Sequence, residues 1–314
     1  MHDRLAVNIK GLKLRNPVIA ASGTFGYGEE FRGLVDLRKL GAIVSKTITL
    51  KARRGNPVPR TAETPAGLLN SIGLENPGLE GFLDEKLPIL KKIGIPIIVS
   101  IASEAGKEEF VKLAKELDNI NAVAAIELNI SCPNIKDAKS AKPESLPLIA
   151  QDAAATYELV RAVRTATRKP LITKLSPNVS SIGDIARSAE RAGSDAVSLI
   201  NTITAMSIDV ETRKPRLAAV TGGLSGPAVR PVAVRMVWEV YRRIKIPIIG
   251  MGGIMKSEDA LEFIIAGASA VSIGTANFIN PRVSVEIIEG IKKYLQKNNL
   301  TSIQNLIGSL ECKI

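Results

Sequence analysis

Two lysines end apolar runs of this 314-residue chain: Lys46 in IVSKTIT and Lys174 in LITKLSPN. An ammonium at the end of a buried strand is costly unless it meets an anion, so both are read as facing a binding site rather than snorkelling to solvent. Four asparagines fall at comparable places: Asn70 in LLNSIGLENPG, Asn129 and Asn134 in ELNISCPN, and Asn201 in LINT. A lone asparagine after a strand is usually a turn residue, but four amides on one rim offer the donors and acceptors that suit a planar ligand with imide N–H and C=O groups, such as a pyrimidine ring. Proton transfer has few candidates. The single histidine, His2, stands in the N-terminal tail, which excludes triads and HExxH zinc sites. Cys132 follows the polar stretch Asn129-Ile130-Ser131 and precedes Pro133, a setting that exposes a thiol to a pocket, and it is the best available proton acceptor. Cys312, in LECKI, is read as inert.

Two further stretches suit a phosphate. IPIIGMGGI (246–254) and AVSIGTANF (270–278) each read as a strand ending in a glycine-containing turn before a helix, where backbone N–H groups can approach an anion closely. The first lacks the third glycine of GxGxxG, so it is not read as a dinucleotide fold.

The elements that must position these groups repeat along the chain. Short β-branched runs at 18–21, 42–45, 96–101, 123–129, 171–175, 196–201, 247–250 and 270–274 alternate with helical patterns such as 108–117, 151–167, 182–192, 229–244 and 257–266. Continuous apolar strands alternating with helices mean a parallel sheet buried on both faces, and eight units favour a closed (β/α)8 TIM barrel. The expected fold is therefore α/β, with an N-terminal hairpin, LAVNIKGLKL, at the barrel bottom and a solvated closing helix over 283–307. Three long βα loops, 47–78, 130–147 and 202–226, are expected to build the site, because loops of that length in a compact domain are usually functional. Composition agrees with one large globular domain: 45% hydrophobic residues can fill a sizeable core. The net charge of +11 is spread among acidic residues and aromatics are only 4%, so an anionic small molecule is a better partner than nucleic acid. Two cysteines cannot hold an iron–sulfur cluster or a structural zinc and imply no disulfide framework. The chain has neither a signal-peptide pattern nor a membrane-spanning apolar run, so it is read as cytoplasmic.

From NPVIAASGTFGYG through NSIGLENPG, ELNISCPN, TKLSPN, INT, TGGLSGPAVRPVA and IPIIGMGGI to GASAVSIGTANF, the sequence resembles the class 1 dihydroorotate dehydrogenases, FMN enzymes of pyrimidine biosynthesis. The details look most like the B branch, whose catalytic chain works with an iron–sulfur flavoprotein subunit. The resemblance implies that residues 1–314 form a single FMN-binding barrel that oxidises (S)-dihydroorotate to orotate. It also implies a homodimeric core, in a heterotetramer whose partner subunit carries FAD and an iron–sulfur cluster and reduces NAD. Carried over position by position, it assigns the FMN to Ala21, Ser22, Lys46, Thr47, Ser100, Asn129, Lys174, Ile200, Gly226, Gly252, Gly253, Gly274 and Thr275. It assigns the substrate to Lys46, Asn70, Ile72, Gly73, Leu74, Asn129, Asn134, Asn201 and Thr202, with Cys132 as the base.

This chain departs from the branch at two places. Ser100, in VSIAS, replaces a flavin-contacting asparagine, so that contact is expected to be weaker or water-mediated. After NISCPNIK the branch usually continues with paired glycines, whereas DAKSAKPESLPL stands here, over the expected lid. The alternatives are the pyrimidine-reducing half of dihydropyrimidine dehydrogenase, which typically has histidine where this chain has Asn134, and a catalytically silent barrel scaffold, which would have no need of these lysines, asparagines and thiol.

Overall fold

The computed structural model describes residues 4–103, 105–130 and 149–311. His2, Cys132, Asn134, Cys312 and most of the 130–147 loop, including the expected lid, lie outside the described residues.

Eight short parallel strands close into one barrel: β1 (Val18–Ala20), β2 (Ala42–Val44), β3 (Ile97–Ile101), β4 (Val123–Asn129), β5 (Leu171–Lys174), β6 (Ala196–Leu199), β7 (Ile248–Met251) and β8 (Ala270–Ile273). Neighbours follow chain order, and β8 closes on β1 with Val271 opposite Val18 and Ile273 opposite Ala20. Seven of the strands are buried at every position, and β4 at all but Ala124, which is why they read as continuous apolar runs rather than as alternating ones. The expected barrel is the one observed, and its strand boundaries differ by at most two residues.

The outer helices bury one stripe each. In the helix Ile182–Ala192, Ile182, Ile185, Ala186 and Ala189 are buried at the spacing of a single helical face, and Gly193 ends it in the left-handed conformation at φ 106°. The helix Ala153–Ala166 is capped by Asp152, whose carboxylate accepts from the Ala155 N–H at 2.7 Å. Charge pairs fasten strand entries to helices: Asp195 accepts from Arg164 at 2.7 Å and from the Leu171 N–H at 2.9 Å. The hairpin, Val7–Ile9 against Leu12–Leu14, leads into β1 within four residues and so sits at the end opposite the strand C-termini, with its alternate side chains in the main core.

The closing helix differs from expectation. It spans Val283–Lys297, followed by a short turn at Ile303–Leu306, and it buries Val283, Ile287, Ile288, Ile291 and Leu295. The Lys- and Asn-rich end suggested a solvated helix, but the apolar stripe on its other face packs it against the barrel.

The loops 47–78 and 202–226 lie within the described residues and carry strands of their own. Thr61–Thr64 and Gly67–Asn70 from the first, with Ile203–Met206 and Thr221–Ser225 from the third, form a four-stranded antiparallel sheet. Its register sets Asn70 opposite Gly223 and Leu224 opposite Ile203, which draws both loops together over the strand ends.

Candidate active site

A cavity opens at the C-terminal ends of the strands, walled by the four-stranded sheet and by the turns after β7 and β8. Parallel register brings its floor together. Lys174 is level with Asn129 on one side and Ser198 on the other, so three residues far apart in sequence share one inward-facing layer. Lys174 is only 7% exposed and, among the described residues, forms no ion pair. Lys46, at the end of β2, is half-buried.

Hydrogen bonds link the floor from strand to strand. Thr47 Oγ1 pairs with Ser22 Oγ at 3.2 Å and with Ser100 Oγ at 2.9 Å, and it accepts from Asn129 Nδ2 at 3.1 Å. Asn129 Oδ1 in turn accepts from Asn201 Nδ2 at 3.3 Å. This belt fixes the Asn129 and Asn201 amides in one orientation each, which a site that reads a ligand's donor and acceptor pattern requires.

One wall is made of two loop segments that hydrogen bonds hold in place. Asn70 donates to the Gly223 carbonyl at 3.3 Å, tying the two loops. The segment 71–74 is stitched from behind, since Asn56 donates through its side chain to Ser71 O and through its backbone to Ile72 O, both at 2.9 Å. Arg53 donates to Gly73 O at 3.2 Å. Leu74 holds a left-handed φ of 56°, unusual for a branched side chain, at the point where the segment lines the cavity. Asn178 secures the third loop: its amide donates to Thr202 O at 3.2 Å and accepts from the Thr204 N–H at 2.9 Å.

The opposite end is a glycine cradle of Gly226, Gly252, Gly253, Gly274 and Thr275. Gly253 is required by the protein's own packing: φ is 72°, and an added Cβ would lie 2.7 Å from Gly226 O and 2.9 Å from Arg230 Cβ. Gly274 is different. Its nearest neighbours to an added Cβ are 3.7 Å away, so the fold itself has room for a side chain there, and the space that glycine leaves belongs to the cavity. Among the described residues the N–H groups of Gly253, Gly274 and Thr275 donate to no backbone carbonyl. Thr275 Oγ1 donates to Ser225 Oγ at 2.8 Å, holding the turn after β8 against the sheet. Close-packed glycines with free N–H groups suit an anion such as phosphate.

No described lining residue is acidic, while Lys46 and Lys174 both line the cavity. The field therefore favours an anionic ligand. Ser272 Oγ, buried on the same wall, has no partner among the described residues and offers a further polar contact.

Of the residues expected in the site, Ala21, Ser22, Lys46, Thr47, Asn70, Ile72, Gly73, Leu74, Asn129, Lys174, Ile200, Asn201, Thr202, Gly226, Gly252, Gly253, Gly274 and Thr275 line this one cavity. Cys132 and Asn134 lie outside the described residues. Ser100 is the exception among the described ones, being fully buried behind the wall. Its hydroxyl hydrogen-bonds to Thr47 Oγ1 at 2.9 Å and so braces a residue that does line the cavity. The lining also includes Thr24, Thr61, Leu68, Ser225, Met251 and Met255, which the sequence reading passed over. The strand-end position of Met251, beside the GMGG turn, was a usable signal for that one residue.

A family model described as dihydroorotate dehydrogenase matches residues 4–295. The chain is 51% identical over 312 residues to the dihydroorotate dehydrogenase B (NAD(+)), catalytic subunit, of Pelobacter propionicus, covering 99% of this chain and 100% of that protein. Proteins of the same name from Geotalea uraniireducens and Caldicellulosiruptor bescii are 50% and 53% identical, each over 306 residues, with 98% of this chain covered and 98% and 99% of theirs.

Proposed function

The chain belongs to the dihydroorotate dehydrogenase family, and from that premise we propose that its cavity holds one FMN and oxidises (S)-dihydroorotate to orotate in pyrimidine biosynthesis. One observation carries the assignment of the site: a cavity with no acidic residue in its described lining unites two lysines, an oriented asparagine belt and a glycine cradle in which Gly274 leaves room for a further methyl group.

The residues present fit FMN. Gly252, Gly253, Gly274 and Thr275 would take its phosphate, and Ala21, Ser22, Thr47, Asn129, Lys174, Ile200 and Gly226 would hold its ring and ribityl chain. When bound, FMN supplies the hydride acceptor for C6 of dihydroorotate. The protein supplies geometry and charge. Cys132 takes the proton from C5 as a thiolate. Asn70, Asn129, Asn134 and Asn201 orient the imide edge, and Ile72, Gly73, Leu74 and Thr202 shape its pocket. Lys46 places positive charge beside the substrate carboxylate, and Lys174 stabilises the negative charge that the flavin gains.

Among the described residues no helix is long and apolar enough to cross a membrane. The reading is of a single FMN-binding domain in the cytoplasm. The relatives' name, a B-type catalytic subunit linked to NAD(+), supports a separate electron-transfer subunit here as well. We assign to that subunit FAD and an iron–sulfur centre that passes electrons to NAD, with two copies of this chain at the core of the assembly.

The purified chain is expected to be yellow, to carry about one FMN, and to bleach anaerobically on addition of dihydroorotate but not of dihydrouracil. Colourless protein that ignores added FMN would end this reading, and bleaching by dihydrouracil alone would redirect it. A paired substitution tests the cradle. Gly274→Ala is expected to leave the melting temperature of the apoprotein nearly unchanged but weaken FMN binding at least about tenfold, the cost of a methyl group in a filled site. Gly253→Ala is expected to destabilise the fold itself by more than about 1 kcal/mol, because alanine is strained at positive φ. Equal effects of the two on the apoprotein would contradict the distinction.

A further inference from the structure

The barrel interior beneath the cavity floor carries a charge that the reaction does not use. Glu127 lies on β4 two residues before Asn129, on the same inward face and one layer lower, and it is 2% exposed. Its Oε2 accepts from Ser198 Oγ at 2.9 Å, while Oε1 has no hydrogen-bond partner among the described residues. Ser198 is on β6, so this hydrogen bond passes over the inner face of β5, the strand that carries Lys174. Register sets Ser198 level with Lys174 and Asn129, so the carboxylate is reached from above by the layer in which Lys174 stands. Of the other described residues that share this interior face, only Lys46, just beyond β2, is charged; Ser100, Ser198 and Ser272 are neutral.

A buried carboxylate with a single hydrogen bond is costly, and so is a buried ammonium without a paired anion. Each lies in the low-dielectric interior where the other's field is least screened. We propose that Glu127 is the counter-charge of Lys174, a positioning residue that moderates, through that lysine, how strongly the cavity favours negative charge on the flavin. The proposal rests on the reading that the cavity holds FMN. Its use follows from the overall reaction. Two uncompensated lysines would hold the reduced, more negative flavin too tightly, whereas electrons must leave for an acceptor. A fixed negative charge below the floor makes reduction less favourable and release easier.

The midpoint potential of the bound flavin tests this, measured anaerobically in the wild-type protein, Glu127→Gln and Glu127→Asp. Removing the charge is expected to raise the potential by about 30 mV, the equivalent of a tenfold change for a two-electron couple in the preference for reduced over oxidised flavin. Glu127→Asp keeps the charge and is expected to stay near the wild-type value. An unchanged or lowered potential in Glu127→Gln overturns the proposal. Wild-type protein that binds no flavin overturns the underlying reading, and this proposal with it.

Melting of the apoprotein gives a second test that needs no flavin. Glu127→Gln and Lys174→Met each leave one buried charge uncompensated and are expected to lower the melting temperature or prevent folding. The double variant leaves neither charge and is expected to recover much of the loss. A double variant no more stable than the worse single one, or one that does not fold, rules out charge compensation between these residues.

Discussion

Replacing Cys132 by alanine is expected to slow flavin reduction by dihydroorotate about 10²- to 10⁴-fold while FMN remains bound, the range typical for loss of a general base. The chain's one histidine is His2, and no described lining residue is aspartate, glutamate or histidine. Lys46 and Lys174 are the titratable groups in the described lining, and both are placed to serve as cations. Asn129 belongs to the hydrogen-bonded belt at the cavity floor, and Cys132 is three residues further on in the sequence, a chain reach of about 10 Å. Stopped-flow reduction at several pH values checks the assignment. The variant should lose both the rate and the pH dependence, Cys132→Ser should recover part of the rate, and Cys312→Ala should behave as wild type. A near-wild-type rate in Cys132→Ala would remove the thiol from the chemistry.

The parts of this protein legible in its sequence are those in which one physical cause dominates. The barrel strands could be read because burial on both faces makes each an unbroken apolar run, as in Ile97–Ile101 and Ala270–Ile273. Lys46 and Lys174 could be read because a lysine ending such a run needs an explanation. The four-stranded sheet over the site could not. Thr61–Thr64 and Thr221–Ser225 have neither apolar alternation nor length, and the pairing that joins the two loops is set by contacts more than 150 residues apart, such as Asn70 to Gly223. The bond of Ser100 to Thr47 could not be read from the sequence, because a motif position gives a residue's place but not which neighbour its side chain meets. Glu127 was passed over inside the run VAAIELN, although a carboxylate in the middle of a doubly buried strand is as much an anomaly as a lysine at its end. The same reasoning, applied to anions as well as cations, would have singled it out.

The second large effect is expected at Lys174. Substitution by methionine, which keeps the length of the side chain and removes the charge, should slow flavin reduction by about 10²- to 10³-fold, the scale of losing one preorganised electrostatic contact to developing charge. The loss should fall on the reduced state: affinity for reduced FMN should drop more than affinity for oxidised FMN, because only the former gains the negative charge that the ammonium meets. Comparing the two affinities separates this from simple damage to the pocket, which would weaken both alike. The apoprotein supplies the deciding observation. At 7% exposure with no ion pair among the described residues, an uncompensated ammonium would destabilise the fold, and its removal would raise the melting temperature. If Glu127 balances it from the layer below, removal instead strands a carboxylate and the melting temperature falls. A lower melting temperature together with selective loss of reduced-flavin affinity would establish that Lys174 is held by one anion within the fold and acts on another in the cavity; an unchanged reduction rate would take it out of the site altogether.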